Sequence, residues 1–189
     1  MSHQSDLSFL DRPEILEVIF PVVYSPFYFP AVSGNSLPNA TTYFIEVEEG
    51  VKIGCALWAK GKEFPTILYF HGNGETVIDY DWTAQFYIDI GVNLFVVDYR
   101  GYGLSNGQPT ITSLIRDSHP IFHEFKKVIK EEGYKPSLFL MGRSLGSIPA
   151  VELHTIIKMR LKDSSSRAAR QITFVACGTI WKARKWNGF

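Results

Sequence analysis

The chain has 189 residues, which is enough for one domain with a substantial core but not comfortably enough for two. Hydrophobic residues make up 46% of the chain and charged residues 20%, which is the balance of a soluble globular protein. The formal net charge of zero hides an asymmetry, because residues 1–157 carry 11 Lys and Arg against 18 Asp and Glu, whereas residues 158–189 carry 8 against 1. This swing indicates either an interaction tail or a tail of different origin from the body.

The cysteines and the apolar segments bear on whether the protein has disulfides, a metal site or a membrane-spanning segment. Cys55 and Cys177 belong to no CxxC pair or Cys/His cluster, so we expect two buried free thiols, no disulfide framework, no metal site and no cofactor. The chain does not start with a basic region followed by an apolar one, and prolines interrupt the most apolar early segment, residues 18–32. We therefore expect no transmembrane segment and a soluble, cytoplasmic protein.

The N-terminal part of the chain predicts little regular structure. Residues 9–20 have the pattern of a short helix, with Asp11 as a candidate N-cap and Pro13 in the first turn. Residues 21–40 are rich in Pro, Ser, Asn and Gly, which is typical of irregular surface chain. Alternating apolar and polar residues then predict a hairpin, with strands at residues 43–49 and 51–60.

From residue 66 onward, continuous apolar runs alternate with helical patterns. The apolar runs, which are typical of fully buried strands, cover residues 66–70, 93–99 and 137–141. The helical patterns cover residues 80–90, 111–132 and 147–161, and a further strand is predicted at residues 172–180. Apolar strands that alternate with helices predict an α/β fold, with a doubly wound, mostly parallel sheet and helices on both of its faces.

A serine between glycines follows the strand at residues 137–141. Residues 142–146, GRSLG, match the pattern G-x-S-x-G and stand between a predicted strand and a predicted helix. Such a turn is strained, needs glycines to avoid clashes, and lifts the hydroxyl of the central residue above the sheet edge. Ser144 is therefore the candidate nucleophile. The backbone N–H of Leu145 is a candidate donor to an oxyanion in the same space.

A glycine-rich loop, residues 71–74 (HGNG), follows the first buried strand. Such a loop brings backbone N–H groups close to a developing oxyanion, and we assign the second donor to the N–H of Asn73. No second ligand lies near His71 in the sequence, so we interpret His71 as a structural histidine rather than a metal ligand.

Three segments, YFHGNG, DYRGYGLSNGQPT and MGRSLGS, occur in the order and at the spacing of a known superfamily. Over residues 9–157 the chain resembles the α/β-hydrolases, most of all their serine aminopeptidase or Bem46-like branch. The resemblance implies Ser144 as nucleophile, an acyl-enzyme formed from a small-molecule acyl substrate, and backbone donors at Asn73 and Leu145. It also implies that Asp98 and Arg100 shape a loop and have no catalytic role.

The expected partners of the serine are missing. In this fold the triad runs along the chain as Ser, then Asp or Glu, then His. Only His154 follows Ser144, and on a helix it lies about 10 Å away along the axis, which is out of reach of the hydroxyl. His119 and His123 belong to the preceding helix, and Asp163 lies in a Ser/Arg patch. The acid and base are therefore unknown, and we expect either an impaired hydrolase, a non-catalytic binding protein or an inactive fragment.

The C-terminal part of the chain also departs from the pattern of a whole α/β-hydrolase domain. A doubly wound hydrolase sheet needs about two further strand–helix units after the strand predicted at residues 172–180, and without them a buried strand becomes an open apolar edge. These absent units and the charge swing predict a truncated or frame-shifted copy whose hydrolase body ends near residues 160–170. We expect three segments: an N-terminal helix and irregular segment, a partial α/β-hydrolase domain, and an extra strand with a basic tail, at residues 1–40, 41–170 and 171–189. The tail interleaves basic residues with Trp181 and Trp186, as in nucleic-acid or anionic-membrane binding, but charge runs are usually only solvated. We expect no nucleic-acid partner.

Overall fold

The computed structural model describes residues 6–21, 23, 37–163 and 172–177. The strands are β1 (Thr41–Glu48), β2 (Val51–Trp58), β3 (Thr66–Phe70), β4 (Asn93–Val97), β5 (Leu138–Arg143) and β6 (Ile172–Cys177). The helices are α1 (Pro13–Ile19), α2 (Tyr80–Asp89), α3 (Ile111–Glu131) and α4 (Ser147–Asp163). Short 3-10 turns cover Ser8–Asp11, Val77–Asp79 and Ser144–Gly146.

The six strands form one sheet in the order β1-β2-β4-β3-β5-β6. The hairpin β1–β2 joins the sheet through antiparallel pairing of β2 with β4, whereas β4, β3, β5 and β6 are parallel neighbours. Phe70 at the end of β3 is in register with Val97 of β4 and with Gly142 of β5. The segments that follow these three strands therefore start at one edge of the sheet.

Helices cover both faces of the sheet, which confirms the predicted fold class. On one face, Phe125 of α3 and Leu153 of α4 belong to a core that also includes Phe70. On the other face, Ala84 of α2 packs with Tyr69, the strand neighbour of Phe70. Because successive side chains of a strand point to opposite faces, each strand between the two layers has to be apolar along its whole length.

The N-terminal helix begins one residue later than its candidate N-cap suggests. Asp11 ends a 3-10 turn, and Arg12 occupies the N-cap position before Pro13. The prediction of Asp11 as the cap of its own helix is wrong, because its carboxylate accepts hydrogen bonds from the backbone N–H (3.1 Å) and the hydroxyl of Thr112 in the first turn of α3. Asp11 thus provides an acceptor for a free backbone N–H in the first turn of α3, 101 residues away along the chain.

The other boundaries agree with the predicted elements to within a few residues. The strand predicted at residues 93–99 ends at Val97. The N–H of Asp98 still donates to the carbonyl oxygen of Gly54 of β2 at 2.9 Å, and its carboxylate accepts hydrogen bonds from loop N–H groups. The strand predicted at residues 172–180 is present as β6; residues 178–180 and the basic tail lie outside the described residues. Cys55 is a buried free thiol, as predicted.

In the part of the chain that the structure describes, no helix combines the length and the apolar character needed to cross a bilayer. The cytoplasmic location stays a prediction.

Candidate active site

The candidate site is built around Ser144, directly after β5. Ser144 has a φ of 51° and is the only non-glycine residue with a positive φ among the described residues. An L-residue rarely adopts this conformation, because its Cβ approaches the following carbonyl oxygen. The side chain is exposed. The backbone therefore reverses sharply at one serine and holds its hydroxyl at the carboxyl edge of the parallel strands.

Two glycines make this turn sterically feasible. A Cβ on Gly142 would lie 2.9 Å from the Cβ of Ala150 and would overlap the carbonyl group of Gly146. A Cβ on Gly146 would overlap the carbonyl oxygen of Phe70 at the end of β3. Gly142 thus lets the turn pack against its own helix, and Gly146 lets it pack against the end of β3; neither position has room for a side chain.

The loop after β3 lies against this turn and presents Asn73. The Asn73 side chain is held at both ends: Nδ2 donates to the carbonyl oxygen of Ile19 at 2.6 Å, and Oδ1 accepts from the hydroxyl of Tyr102 at 2.6 Å. Leu145 is anchored in a different way, since its side chain packs against the core. Asn73 on the loop after β3 and Leu145 on the turn after β5 are the two predicted backbone donors. Each is held in place by the contacts of its own side chain.

Sequence reasoning missed Glu75, which closes the loop after β3. Its Oε2 accepts from the N–H of Gly72 at 2.7 Å and from the hydroxyl of Tyr80 at 2.9 Å, and its own N–H donates to the carbonyl oxygen of Gly72 at 3.3 Å. The other carboxylate oxygen, Oε1, forms an ion pair with Arg143, the residue before Ser144. The sequence carries one signal for the Gly72–Glu75 hydrogen bond, because the same spacing occurs where a Glu reaches back three residues to a backbone N–H in the capping box of a helix.

The comparisons with known proteins show the family of the chain. The sequence model of the hydrolase family described as serine aminopeptidase, S33, matches residues 61–165, which is more than half of the chain. The chain belongs to this family of α/β-hydrolases.

Among its relatives is alpha/beta hydrolase domain-containing protein 17C of Xenopus tropicalis, 33% identical over 128 residues. The match covers 64% of this chain and 39% of the relative. The protein of the same name from Mus musculus is 29% identical over 128 residues, and the match covers 64% of this chain and 38% of that relative. The matched part of this α/β-hydrolase thus spans about two fifths of the length of these curated relatives.

Two solved structures show the same fold at low sequence identity. Epoxide hydrolase VrEH1 from Vigna radiata aligns with a TM-score of 0.52 and 19% identity, over 80% of this chain and 42% of that one. ESTFA in its Fe-lacking apo form aligns with a TM-score of 0.52 and 19% identity, over 85% of this chain and 52% of that one. Both are similar in fold alone.

His71 lies beneath the candidate site of the α/β-hydrolase rather than in it. The side chain is fully buried between the ring of Tyr99, 4.3 Å away between centroids, and that of Tyr102. Its Nδ1 carries the hydrogen, because it lies 2.8 Å from the carbonyl oxygen of Gly72, which can only accept. Its Nε2 lies 3.3 Å from Oδ1 of Asp98, without the alignment of a hydrogen bond. His71 supports the loop from below, as a structural histidine does.

Asp98 and Arg100 hold the loop between β4 and α3. The buried Asp98 carboxylate accepts from the N–H of Val77 at 2.7 Å and from that of Leu104 at 2.9 Å. Arg100 binds the Asp117 carboxylate with two hydrogen bonds of 2.6 and 2.9 Å, and this interaction raises the pKa of the guanidinium above its ordinary value. Both residues have the loop-shaping contacts that the family resemblance implies.

The remaining described histidines lie on the helices α3 and α4. His119 contacts Glu152 at 3.1 Å across the two helices, and His123 contacts the neighbouring Glu124 at 3.2 Å. His154 lies on α4, ten residues after Ser144 along the chain. Within the described part of the chain, no group of three His, Cys, Asp or Glu side chains could hold a metal ion. The acid and the base of a triad stay unassigned.

Proposed function

We propose that this α/β-hydrolase is a serine hydrolase that cleaves an ester, thioester or amide bond of a small-molecule acyl substrate through an acyl-enzyme on Ser144. The observation that carries the proposal is the backbone of Ser144, with its φ of 51° on an exposed turn between β5 and α4. Strain of this kind persists where the surrounding structure enforces it, and it is concentrated at functional sites. Here the close packing of Gly142 and Gly146 enforces it.

In the proposed reaction the Ser144 oxygen bonds to the carbonyl carbon of the substrate, and the π electrons of the carbonyl move to its oxygen. The N–H groups of Asn73 and Leu145 donate to this oxyanion. When the carbonyl reforms, the bond to the leaving group breaks, and the leaving group departs with the proton that the Ser144 hydroxyl has lost. Water then attacks the acyl-enzyme carbonyl, the bond to the Ser144 oxygen breaks, one proton of the water returns to that oxygen, and the acid is released.

We infer that turnover by this chain is slow. No base for the Ser144 proton is assigned among the described histidines. His119 and His123 contact carboxylates on the helices, and His71 is buried. His154 lies on α4, about 10 Å along the axis from the start of that helix. A serine site without its base retains only the effects of oxyanion stabilisation and substrate binding, and its rate falls roughly a thousandfold or more. In this proposal the site belongs to the segment of residues 41–170, with residues 1–40 and 171–189 as flanking segments.

A second candidate function is non-catalytic: the chain binds an acyl compound without turning it over, or is an inactive hydrolase fragment. The positions of the same histidines favour it. The two candidates differ in one chemical property, because only the first requires a Ser144 oxygen that attacks an electrophile.

The test is to incubate the purified chain with a fluorophosphonate probe, and separately with a simple acetyl ester. The variant Ser144→Ala removes the proposed nucleophile. Ser147→Ala is the matched control, because it removes a nearby hydroxyl that donates to the carbonyl oxygen of Ser144 at 2.6 Å. Labelling and turnover that are lost in Ser144→Ala and kept in Ser147→Ala support the serine hydrolase. A folded chain that is not labelled supports the non-catalytic alternative.

A further inference from the structure

An ion pair joins the two loops of the candidate site. Glu75 belongs to the loop after β3, which carries Asn73, and Arg143 precedes Ser144 on the turn after β5. The Glu75 side chain is 26% exposed and that of Arg143 53% exposed. We call this contact the Glu75–Arg143 bridge. Its two ends lie within two residues of Asn73 and within one residue of Ser144 along the chain.

We propose that the Glu75–Arg143 bridge sets the position of the Asn73 N–H relative to Ser144, so that both of its residues are positioning residues for the acyl transfer. The inference rests on the proposed function and deepens it. The bridge leaves the chemistry to Ser144 and the backbone donors. It adds a side-chain link between the two loops that carry them, beyond the packing of the turn against the end of β3.

The hydrogen bonds of Glu75 make it a rigid end of the bridge. Oε2 accepts from the N–H of Gly72 at 2.7 Å and from the hydroxyl of Tyr80 at 2.9 Å, which leaves Oε1 directed at Arg143. A second hydrogen bond, from the backbone N–H of Glu75 to the carbonyl oxygen of Gly72 at 3.3 Å, also joins the two ends of the turn at residues 72–75. The turn around Asn73 therefore moves with the Glu75 carboxylate as one unit.

The guanidinium of Arg143 lies against this turn at the other end. A Cβ on Gly72 would lie 2.9 Å from its Nη1 and 3.1 Å from Oε2 of Glu75, so both ends of the pair lie directly over this glycine. Arg143 is joined through the backbone to Ser144, whose φ of 51° is fixed by the packing of the turn. A shift of Glu75 relative to Arg143 therefore displaces the Asn73 N–H from the point where the oxyanion forms.

The bridge can be tested by removing its charges one at a time and together. Glu75→Gln keeps an acceptor for the Gly72 N–H and the Tyr80 hydroxyl but cannot pair with a guanidinium, and Arg143→Gln removes the other end. A donor displaced by about 1 Å costs up to roughly 100-fold in rate, so we expect each variant to lower the rate of Ser144 labelling by the fluorophosphonate about tenfold, with little change in Tm. The double variant should be no slower than either single one, because both remove the same interaction.

Two further variants sharpen the test. Arg143→Lys keeps a positive charge and should recover part of the labelling rate. Glu124→Gln is the matched control, because it breaks an exposed ion pair with Lys127 (3.2 Å) on α3, far along the chain from both loops; its labelling rate should be unchanged. Single variants that label as fast as the wild type, or effects that multiply in the double variant, would overturn the proposal.

The bridge is testable even when the proposed function fails. If the folded wild-type chain is not labelled at Ser144, the readout is hydrogen exchange of the Gly72 amide by NMR, with an amide of α3 as reference. Loss of the bridge should loosen the turn and speed exchange at Gly72 about tenfold in both Glu75→Gln and Arg143→Gln. Equal exchange at Gly72 in the wild type and both variants refutes the bridge as a positioning device.

Discussion

The positive φ of Ser144 predicts an unusual result for two substitutions that both remove the hydroxyl. Ser144→Ala keeps the Cβ and with it the left-handed strain, which costs roughly 1–2 kcal/mol. Ser144→Gly removes the strain, because glycine adopts a φ near the observed 51° as readily as a negative one. Glycine also gives the unfolded chain more freedom, which offsets roughly 0.4–1 kcal/mol of this gain. We therefore expect Ser144→Gly to be more stable than Ser144→Ala by about 1 kcal/mol.

The free energy of unfolding of both variants would be measured by urea denaturation followed by circular dichroism. For a chain of this size, 1 kcal/mol corresponds to a difference in Tm of about 2–4 °C, which thermal scans resolve. The control is the same pair of substitutions at Ser147, which has a helical φ of −66° at the start of α4. There the order should be reversed, with Ala more stable than Gly by up to about 1 kcal/mol.

One outcome would refute the argument for a strained turn. If Ser144→Gly is no more stable than Ser144→Ala while the Ser147 pair follows the helical order, then the turn between β5 and α4 is not held in the left-handed conformation. The principal observation behind the proposed nucleophile would then be lost.

Two further predictions concern the packing and the charges around the site. Gly146→Ala places a methyl group against the backbone of β3 and should lower the free energy of unfolding by about 3 kcal/mol. Gly133→Ala should lower it by only about 1 kcal/mol, because the added Cβ meets nothing within 4 Å and the cost comes from the positive φ of 76° alone. Arg100→Gln leaves the buried Asp117 carboxylate with only the longer contact to Arg116 (3.6 Å) and should cost about 3 kcal/mol. Arg116→Gln, on a side chain 62% exposed, should cost less than about 1 kcal/mol, and equal losses for the two arginines in urea denaturation would contradict the argument.

Much of the fold follows from local patterns in the sequence. The apolar run at residues 66–70 cannot be half exposed, so it predicts a strand that is covered on both faces, and β3 has that environment. The stop of α3 is equally local, since Gly133 takes a positive φ of 76° directly after the helix. The turn that carries Ser144 was found in the same way, from glycines on either side of a serine between a strand and a helix.

The contacts that orient the site could not be predicted in this way. Asp11 has the sequence signature of a cap for its own helix, yet it binds Thr112 of α3. Asn73 was singled out for its backbone N–H, but its carboxamide is held by residues 54 and 29 positions away. No local pattern specifies such pairs, because they depend on which loops the strand order brings to one edge of the sheet.

The sequence by itself determined the α/β fold, the family and the serine turn, because each shows in local patterns: apolar runs, helical periodicity and short motifs in a fixed order along the chain. Only the tertiary structure decided that Glu75 faces Arg143, and that His119 and His123 face carboxylates on α3 and α4 rather than Ser144. The physical reason is the same in each case. A side chain's partner is set by the packing of whole elements, and a charge or a histidine binds what that packing brings within about 3 Å of it.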